Sequence, residues 1–143
     1  MNSVYVHVLA PVIAAALLSS LVLRRNLPIT QYRNPWIPPG PFVGLVWLVL
    51  LGLLGYVHYK LYTKANSKFS TTCIIIICYI LYCLAYPSLT SLSSNPMLMT
   101  FLNQAALFFA LLITYRVFTD DSTLLLYMVP LLAWLTYVNI VTL

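Results

Sequence analysis

Five long apolar segments, separated by short polar or charged stretches, make up nearly the whole chain. Transmembrane helices are expected over residues 4–23, 42–62, 69–89, 97–117 and 122–143. Each segment is close to the roughly 20 residues that a helix needs to cross a hydrocarbon core of about 30 Å. No segment alternates between apolar and polar positions as the strands of a membrane barrel do. The pattern therefore predicts a single domain, residues 1–143, built as an all-α integral membrane protein with a five-transmembrane-helix bundle.

The connections between these segments differ in chemistry. The first, residues 24–41, reads RRNLPITQYRNPWIPPGP and is the longest. A Lys-bearing turn is expected around residues 65–67. Residues 89–95 are expected to form a loop, because Ser, Asn and Pro compete with helical hydrogen bonding. A last joint is expected at residues 118–121, where Asp120 or Asp121 is placed to cap the fifth helix.

Composition agrees with this pattern and narrows the class of protein. Hydrophobic residues make up 62% of the 143 residues, and only 6% are charged. A soluble domain carries roughly 25% charged residues, so this chain has too few to solvate a globular surface. The net charge of +5 comes with no basic stretch interleaved with aromatics, which excludes a nucleic-acid partner. We therefore expect a multi-pass membrane protein in contact with lipid.

Conventional catalytic and metal-binding signatures are absent from the sequence. It contains no phosphate-binding Gly-rich loop, dinucleotide fingerprint, zinc-protease motif or nucleophile elbow. Cys73, Cys78 and Cys83 are five residues apart, so on a helix they point away from one another and do not converge on a metal. His7 and His58 are expected to reach the membrane interface near the ends of their helices. We expect no catalytic residue, no metal and no cofactor.

Aromatic residues and prolines suggest where a ligand would bind. Residues 36–41 (WIPPGP) are not helical throughout, because consecutive prolines remove backbone donors. This segment is either a lid over a cavity or an interfacial aromatic belt before the second helix. Tyrosines within the spans are expected to face inward, where they line a cavity for a flat ligand or simply pack together. Asn103 and Gln104, which lie in mid-span, are expected to join helices.

Several motifs occur together at a defined spacing. W-x-P-P begins at Trp36, G-x-V-W occupies residues 44–47, and G-Y follows at residues 55–56. A fifth-helix pattern of Pro, Leu and Trp occupies residues 130–134. Together these motifs resemble those of the TspO/MBR family of translocator and tryptophan-rich sensory proteins. The resemblance extends from the first helix to the end of the sequence and is weakest in the third and fourth helices.

The resemblance implies membrane-embedded binding, and with it transport or sensing, of a porphyrin (tetrapyrrole) or similar flat hydrophobic ligand. It assigns contacts with this ligand to Trp36, Pro38, Pro39, Trp47, Tyr32, Tyr86, Asn103, Trp134 and Tyr137. Porphyrin breakdown is suggested for some family members, so a porphyrin-degrading enzyme is one alternative. A ligand-free membrane scaffold or regulatory subunit is another.

Three features qualify what the resemblance implies. Asn103 stands where the family has an acid in its fourth helix, so the ligand is expected to be recognised largely without charge. No basic residue follows Tyr137 in this sequence, and sterol binding is therefore not expected. Gly40 and Gly44 have the spacing of a helix-association motif, which makes a homodimer an additional expectation.

Overall fold

The computed structural model describes residues 3–24, 36, 38–65, 70–91 and 95–142 of the chain. Its helices are α1 (Val4–Arg24), α2 (Gly40–Lys64), α3 (Thr71–Ser91), α4 (Pro96–Asp120) and α5 (Leu125–Thr142), with a 3₁₀ turn at Ser122–Leu124 before α5. Each of the five is long and apolar enough to cross a membrane. No strand occurs in the part of the chain that is described. The predicted all-α, five-helix membrane fold is confirmed.

Several helices extend into positions that the sequence assigned to joints. The predicted loop at residues 89–95 is wrong at its start, because α3 continues to Ser91. The joint expected at residues 118–121 is too long, since α4 continues to Asp120. Polar residues near the end of a membrane helix can still form its backbone hydrogen bonds. A prediction based on apolar residues alone therefore ends the helix too early.

Residues with a clear physical role mark the ends of α2, α4 and the 3₁₀ turn. Pro41 lies in the first turn of α2, where its missing backbone donor costs nothing. The Asn95 side chain accepts a hydrogen bond from the Met97 backbone N–H (3.0 Å) at the start of α4. Of the two predicted cap candidates, Asp121 is the one that acts, accepting from the backbone N–H (3.1 Å) and hydroxyl (2.6 Å) of Thr123.

The helices form a closed ring in the order α1, α2, α5, α4, α3, and α2 also contacts α3 across the centre. On α4 the buried positions recur at alternating spacings of three and four residues. They are Asn103, Ala106, Ala110, Ile113 and Val117. Two of these are alanines, which let the backbones of neighbouring helices approach closely. The buried core therefore lies where stripes of α2, α3, α4 and α5 face one another.

Large apolar side chains also cover the outside of the ring. Leu17, Phe108 and Leu126 are 60%, 73% and 74% exposed. In a bilayer these surfaces contact lipid, which is as apolar as the core. Hydropathy therefore identifies the helices but not the face that each turns inward.

The α1–α2 contact is tightest near Gly55. A Cβ atom built at this glycine would lie 2.1 Å from the backbone carbonyl oxygen of His7. The Nδ1 atoms of His7 and His58 lie 2.8 Å apart, so an N–H of one ring donates to the other. The prediction that both rings reach the interface is wrong for His58, which is only 6% exposed. The His58 ring is instead stacked on the His7 ring of α1, with the ring centroids 4.9 Å apart.

Candidate functional site

An apolar cavity of about 500 Å³ lies between α1, α2 and α3. It exists because small residues face it from two helices. Ala15, Ala16 and Ser19 line it from α1, and Gly40 and Gly44 line it from α2. A Cβ atom added to either glycine would have no heavy atom within 4 Å. The volume falls in the range of typical small-molecule sites, about 300–1,000 Å³.

A second, inner cavity of about 90 Å³ shares part of its wall with the first. Four residues line both cavities: Val43, Trp47, Cys83 and Tyr86. The inner cavity reaches α4 and α5, where Asn103 and Leu135 close it. Trp47 and Tyr86 therefore stand between an outer chamber and a small extension towards the bundle centre.

A hydrogen-bond network forms the polar floor of the inner cavity. The Tyr86 hydroxyl donates to the Asn103 side-chain oxygen. The Asn103 amide donates to the Thr142 hydroxyl at 3.2 Å. The Asn139 amide donates to the backbone carbonyls of Asn103 and Leu135, at 3.1 and 2.8 Å. These bonds join α3, α4 and α5, and they pair buried polar groups that would otherwise be costly to leave unmatched.

The electrostatic character of the cavities follows from their lining residues. None of the side chains that line either cavity is formally charged. Among the described residues, no group of three His, Cys, Asp or Glu side chains is placed to hold a metal ion. The walls therefore offer aromatic faces, aliphatic surface and a few hydroxyl or amide groups.

Three of the residues predicted to contact ligand come together at these cavities. Trp47 and Tyr86 line both cavities, and Asn103 lines the inner one. Pro39 is the residue immediately before α2. Tyr32 and much of the proposed lid, residues 24–41, lie outside the described residues.

Another group of predicted residues lies along a different groove, between α2 and α5. This groove has a volume of about 560 Å³, and Pro38, Trp134 and Tyr137 line it. The rings of Trp134 and Tyr137 are 5.7 Å apart. Trp36 is 72% exposed, and its backbone carbonyl accepts a hydrogen bond from the Tyr137 hydroxyl. The structure thus ties the end of the first connection to α5 and does not bring the Trp36 ring into the cavity wall.

Sequence reasoning missed most of the α1 and α3 contribution to the cavity. No motif in the sequence assigned Ala15 or Ser19 to a ligand site, yet both line the cavity. Cys83 and Pro87 line it from α3. The run of small residues on α1 was the available signal, but such runs are common in membrane helices that pack together without a cavity.

An uncharged, aromatic-walled cavity inside a helical membrane bundle is typical of integral membrane proteins that bind or carry apolar ligands. The family model of the TspO/MBR family matches residues 7–143, and the chain belongs to that family. A search of curated proteins returns no match. Family membership and the five spanning helices together support a ligand-binding or transport role in the membrane.

Proposed function

We propose that the cavity between α1, α2 and α3 binds a flat, largely apolar aromatic molecule of the tetrapyrrole class. One observation carries this proposal. The cavity of about 500 Å³ has Trp47 and Tyr86 at its inner end, and no charged residue is among those that line it. Aromatic side chains contribute ring stacking in addition to the burial of apolar area. The cavity also favours ligand binding over the alternative of a ligand-free scaffold.

The polar groups at the inner end of the cavity already have hydrogen-bond partners in the protein. This supports recognition of the ligand by its shape and by aromatic stacking. The Tyr86 hydroxyl and the Asn103 amide bond to protein partners, so a ligand with a polar edge there would have to displace them. A buried polar group that loses its partner costs about 1–3 kcal/mol. The apolar ring system is therefore expected to occupy the inner part of the cavity.

The carboxylates of a tetrapyrrole need a different environment. Ser19 lines the cavity, and Arg24 ends the same helix five residues later, with Arg25 next in the sequence. Burying an unpaired carboxylate in an apolar cavity is costly, and the two arginines in the sequence at the end of α1 are the positive charges nearest to Ser19 along the chain. We propose that the ligand binds with its carboxylates towards that end.

Tryptophan fluorescence tests this proposal, because the three tryptophans occupy different places. Protoporphyrin is titrated into the purified chain in detergent, and saturable quenching is expected. Trp47→Ala is expected to weaken apparent affinity about tenfold, the equivalent of one aromatic contact of roughly 1.4 kcal/mol. The matched control is Trp134→Ala, since Trp134 lines the groove between α2 and α5 and neither cavity.

Two results would contradict the proposal. One is quenching that does not saturate. The other is an equal loss of affinity in Trp47→Ala and Trp134→Ala. A third variant, Trp36→Ala, tests the predicted lid separately: a lid that closes over bound ligand slows dissociation, so the variant should release porphyrin faster.

A further inference from the structure

A second cleft lies near the C-terminal end of α2, far along this helix from the apolar cavity. Its volume is about 600 Å³, and it is bounded by α2 on one side and by the turn into α5 on the other. Of its eight lining residues, only Leu124 has no polar side-chain atom. We propose that this cleft binds a phosphate group, as carried by an anionic lipid headgroup or by free phosphate.

The position of the cleft follows from the length of α2. With 25 residues, α2 is about 38 Å long, which exceeds a hydrocarbon core of about 30 Å. Tyr56, Lys60 and Lys64 are four residues apart and therefore lie along one face of its last turns. Residues on these turns reach the depth at which lipid phosphates lie, and long Lys side chains extend readily to that depth.

Lys64 is held in the cleft by two contacts. Its ammonium donates to the Asp120 backbone carbonyl at 2.8 Å and to the Asp121 carboxylate at 3.1 Å. The other oxygen of that carboxylate accepts from the backbone N–H and hydroxyl of Thr123. The negative charge of Asp121 is thus engaged by protein donors, while an ammonium group has one more N–H to offer.

Lys60 supplies the second positive charge. Its Nζ lies 5.5 Å from the centre of the Tyr56 ring, a cation–π contact. The Tyr56 ring lies 5.0 Å from that of Tyr127 on α5, so the two aromatic rings form the wall between the helices. Within the described residues, the only ion pair is that of Lys64 with Asp121. The two lysines and the one aspartate leave the cleft with one net positive charge.

This combination fits a phosphate group better than an apolar ligand. Two ammonium groups one helical turn apart provide charge-assisted donors to separate phosphate oxygens, and the tyrosine hydroxyls add neutral donors. The aromatic wall holds Lys60 close to the helix surface. The site is independent of the apolar cavity, since the two share no lining residue.

The test measures retention of lipid by the full-length chain. The chain is reconstituted in nanodiscs of phosphatidylcholine with a small fraction of phosphatidylglycerol, and bound lipid is counted by native mass spectrometry. A basic side chain near an anionic headgroup contributes about fivefold in affinity, so Lys60→Gln with Lys64→Gln is expected to weaken phosphatidylglycerol retention about 30-fold. Arg116→Gln is the matched control, because it removes one charge from the same end of the bundle and Arg116 does not line the cleft.

A second arm separates the two sources of phosphate. Inorganic phosphate is titrated into the chain in lipid-free detergent, and thermal stability is followed. Selective lipid retention without a phosphate effect assigns the site to a headgroup. Stabilisation by phosphate that the double variant loses, without selective lipid retention, assigns it to a soluble anion.

Asp121→Asn separates a binding role for Lys64 from a structural one. This variant breaks the ion pair but leaves both lysines and an oxygen that can still accept from Thr123. Retention of phosphatidylglycerol is expected to stay the same or to rise, since one negative charge leaves the cleft. The proposal is overturned if Asp121→Asn loses lipid as the double variant does. It is equally overturned if Arg116→Gln loses as much, or if neither lipid nor phosphate binds.

Discussion

The α1–α2 pair is closed in one half and open in the other. In the closed half, the Gly55 backbone lies against the backbone of His7, and the His7 and His58 rings are hydrogen-bonded. In the open half, Gly40 and Gly44 face empty space and border the cavity of about 500 Å³. Glycines on one helix thus serve opposite purposes. Near Gly55 the missing side chain allows close contact, and near Gly44 it leaves room for a ligand.

The difference between the two halves shows how a helix bundle with few charged residues can contain a cavity and remain folded. Buried leucines of α2 begin at Leu50 and continue to Leu61, so the closed half carries most of the packing of this helix. Packing energy there holds α1 and α2 together. In the open half α1 and α2 border the cavity, and the hydrogen-bond network around Asn103 closes the inner end of that cavity.

Gly55→Ala should have the largest effect, because it breaks the closed half. The new Cβ would lie 2.1 Å from the His7 carbonyl oxygen and 3.0 Å from the Val8 Cα, and backbone atoms cannot move aside as a side chain does. The free energy of unfolding is expected to fall by about 3 kcal/mol. Thermal unfolding in detergent measures it, with a thiol-reactive dye that reports exposure of the buried cysteines Cys73 and Cys83.

Gly52→Ala is the control for this variant. It lies one turn earlier on α2, and its added Cβ would meet only Val12 and Val8 side chains at 3.7 and 3.8 Å, which is ordinary contact. Both variants gain helix propensity, so the difference between them isolates the backbone contact. Equal melting temperatures for the two variants would show that α1 and α2 are not tightly packed at Gly55.

The sequence predicts the five helices. It does not predict that α1 and α2 pack closely in one half of their length and border a cavity in the other. The apolar segments predict five spans because their length and hydropathy suffice. Trp47 could be proposed as a cavity residue from the family motif, and Tyr86 as an inward-facing tyrosine of the third span. The His7–His58 contact joins residues 51 apart in the chain. It depends on the register of α1 against α2, which no local pattern encodes. Ala15 and Ser19 could not be assigned to the cavity wall for the same reason, since a small residue suits both a tight contact and a cavity.

Asn103→Leu should have the next largest effect, because it removes the link that closes the open half. Leucine removes the hydrogen bond from the Tyr86 hydroxyl to Asn103 and the one from Asn103 to the Thr142 hydroxyl. A buried polar group without its partner costs about 1–3 kcal/mol, and the same thermal assay measures the loss. Gln104→Leu is the control, since this neighbouring side chain is exposed. An equal melting temperature in the two variants would mean that the network contributes nothing to stability.

Gly44→Leu tests the open half without disturbing the closed one. The new side chain enters space that now holds no atom within 4 Å of the added Cβ, so stability should change by less than about 1 kcal/mol. Porphyrin affinity should fall at least about tenfold, because the ligand and the leucine would occupy the same volume. Ala85→Leu adds the same side chain at an exposed position of α3 outside the cavity wall. Unchanged porphyrin affinity in Gly44→Leu would place the ligand elsewhere.

Loss of the Asp121 charge should have the smallest effect, because its ion pair with Lys64 lies outside the α1–α2 contact. Hydrogen bonds from Thr123 and from Lys64 hold the pKa of the Asp121 carboxyl below its ordinary value. Because the pKa is lower in the folded state, the ionised Asp121 carboxylate stabilises the fold fully above the ordinary Asp pKa of about 3.9. This stabilisation is lost as the pH falls through the lowered pKa. Melting temperatures of the chain and of Asp121→Asn should therefore differ most above the ordinary Asp pKa and converge as the pH falls below it. Because the ion pair is exposed to solvent, the difference at pH 7 should be small. A difference at pH 7 as large as that caused by Gly55→Ala would mean that this exposed ion pair stabilises the fold as much as the packing around Gly55 does.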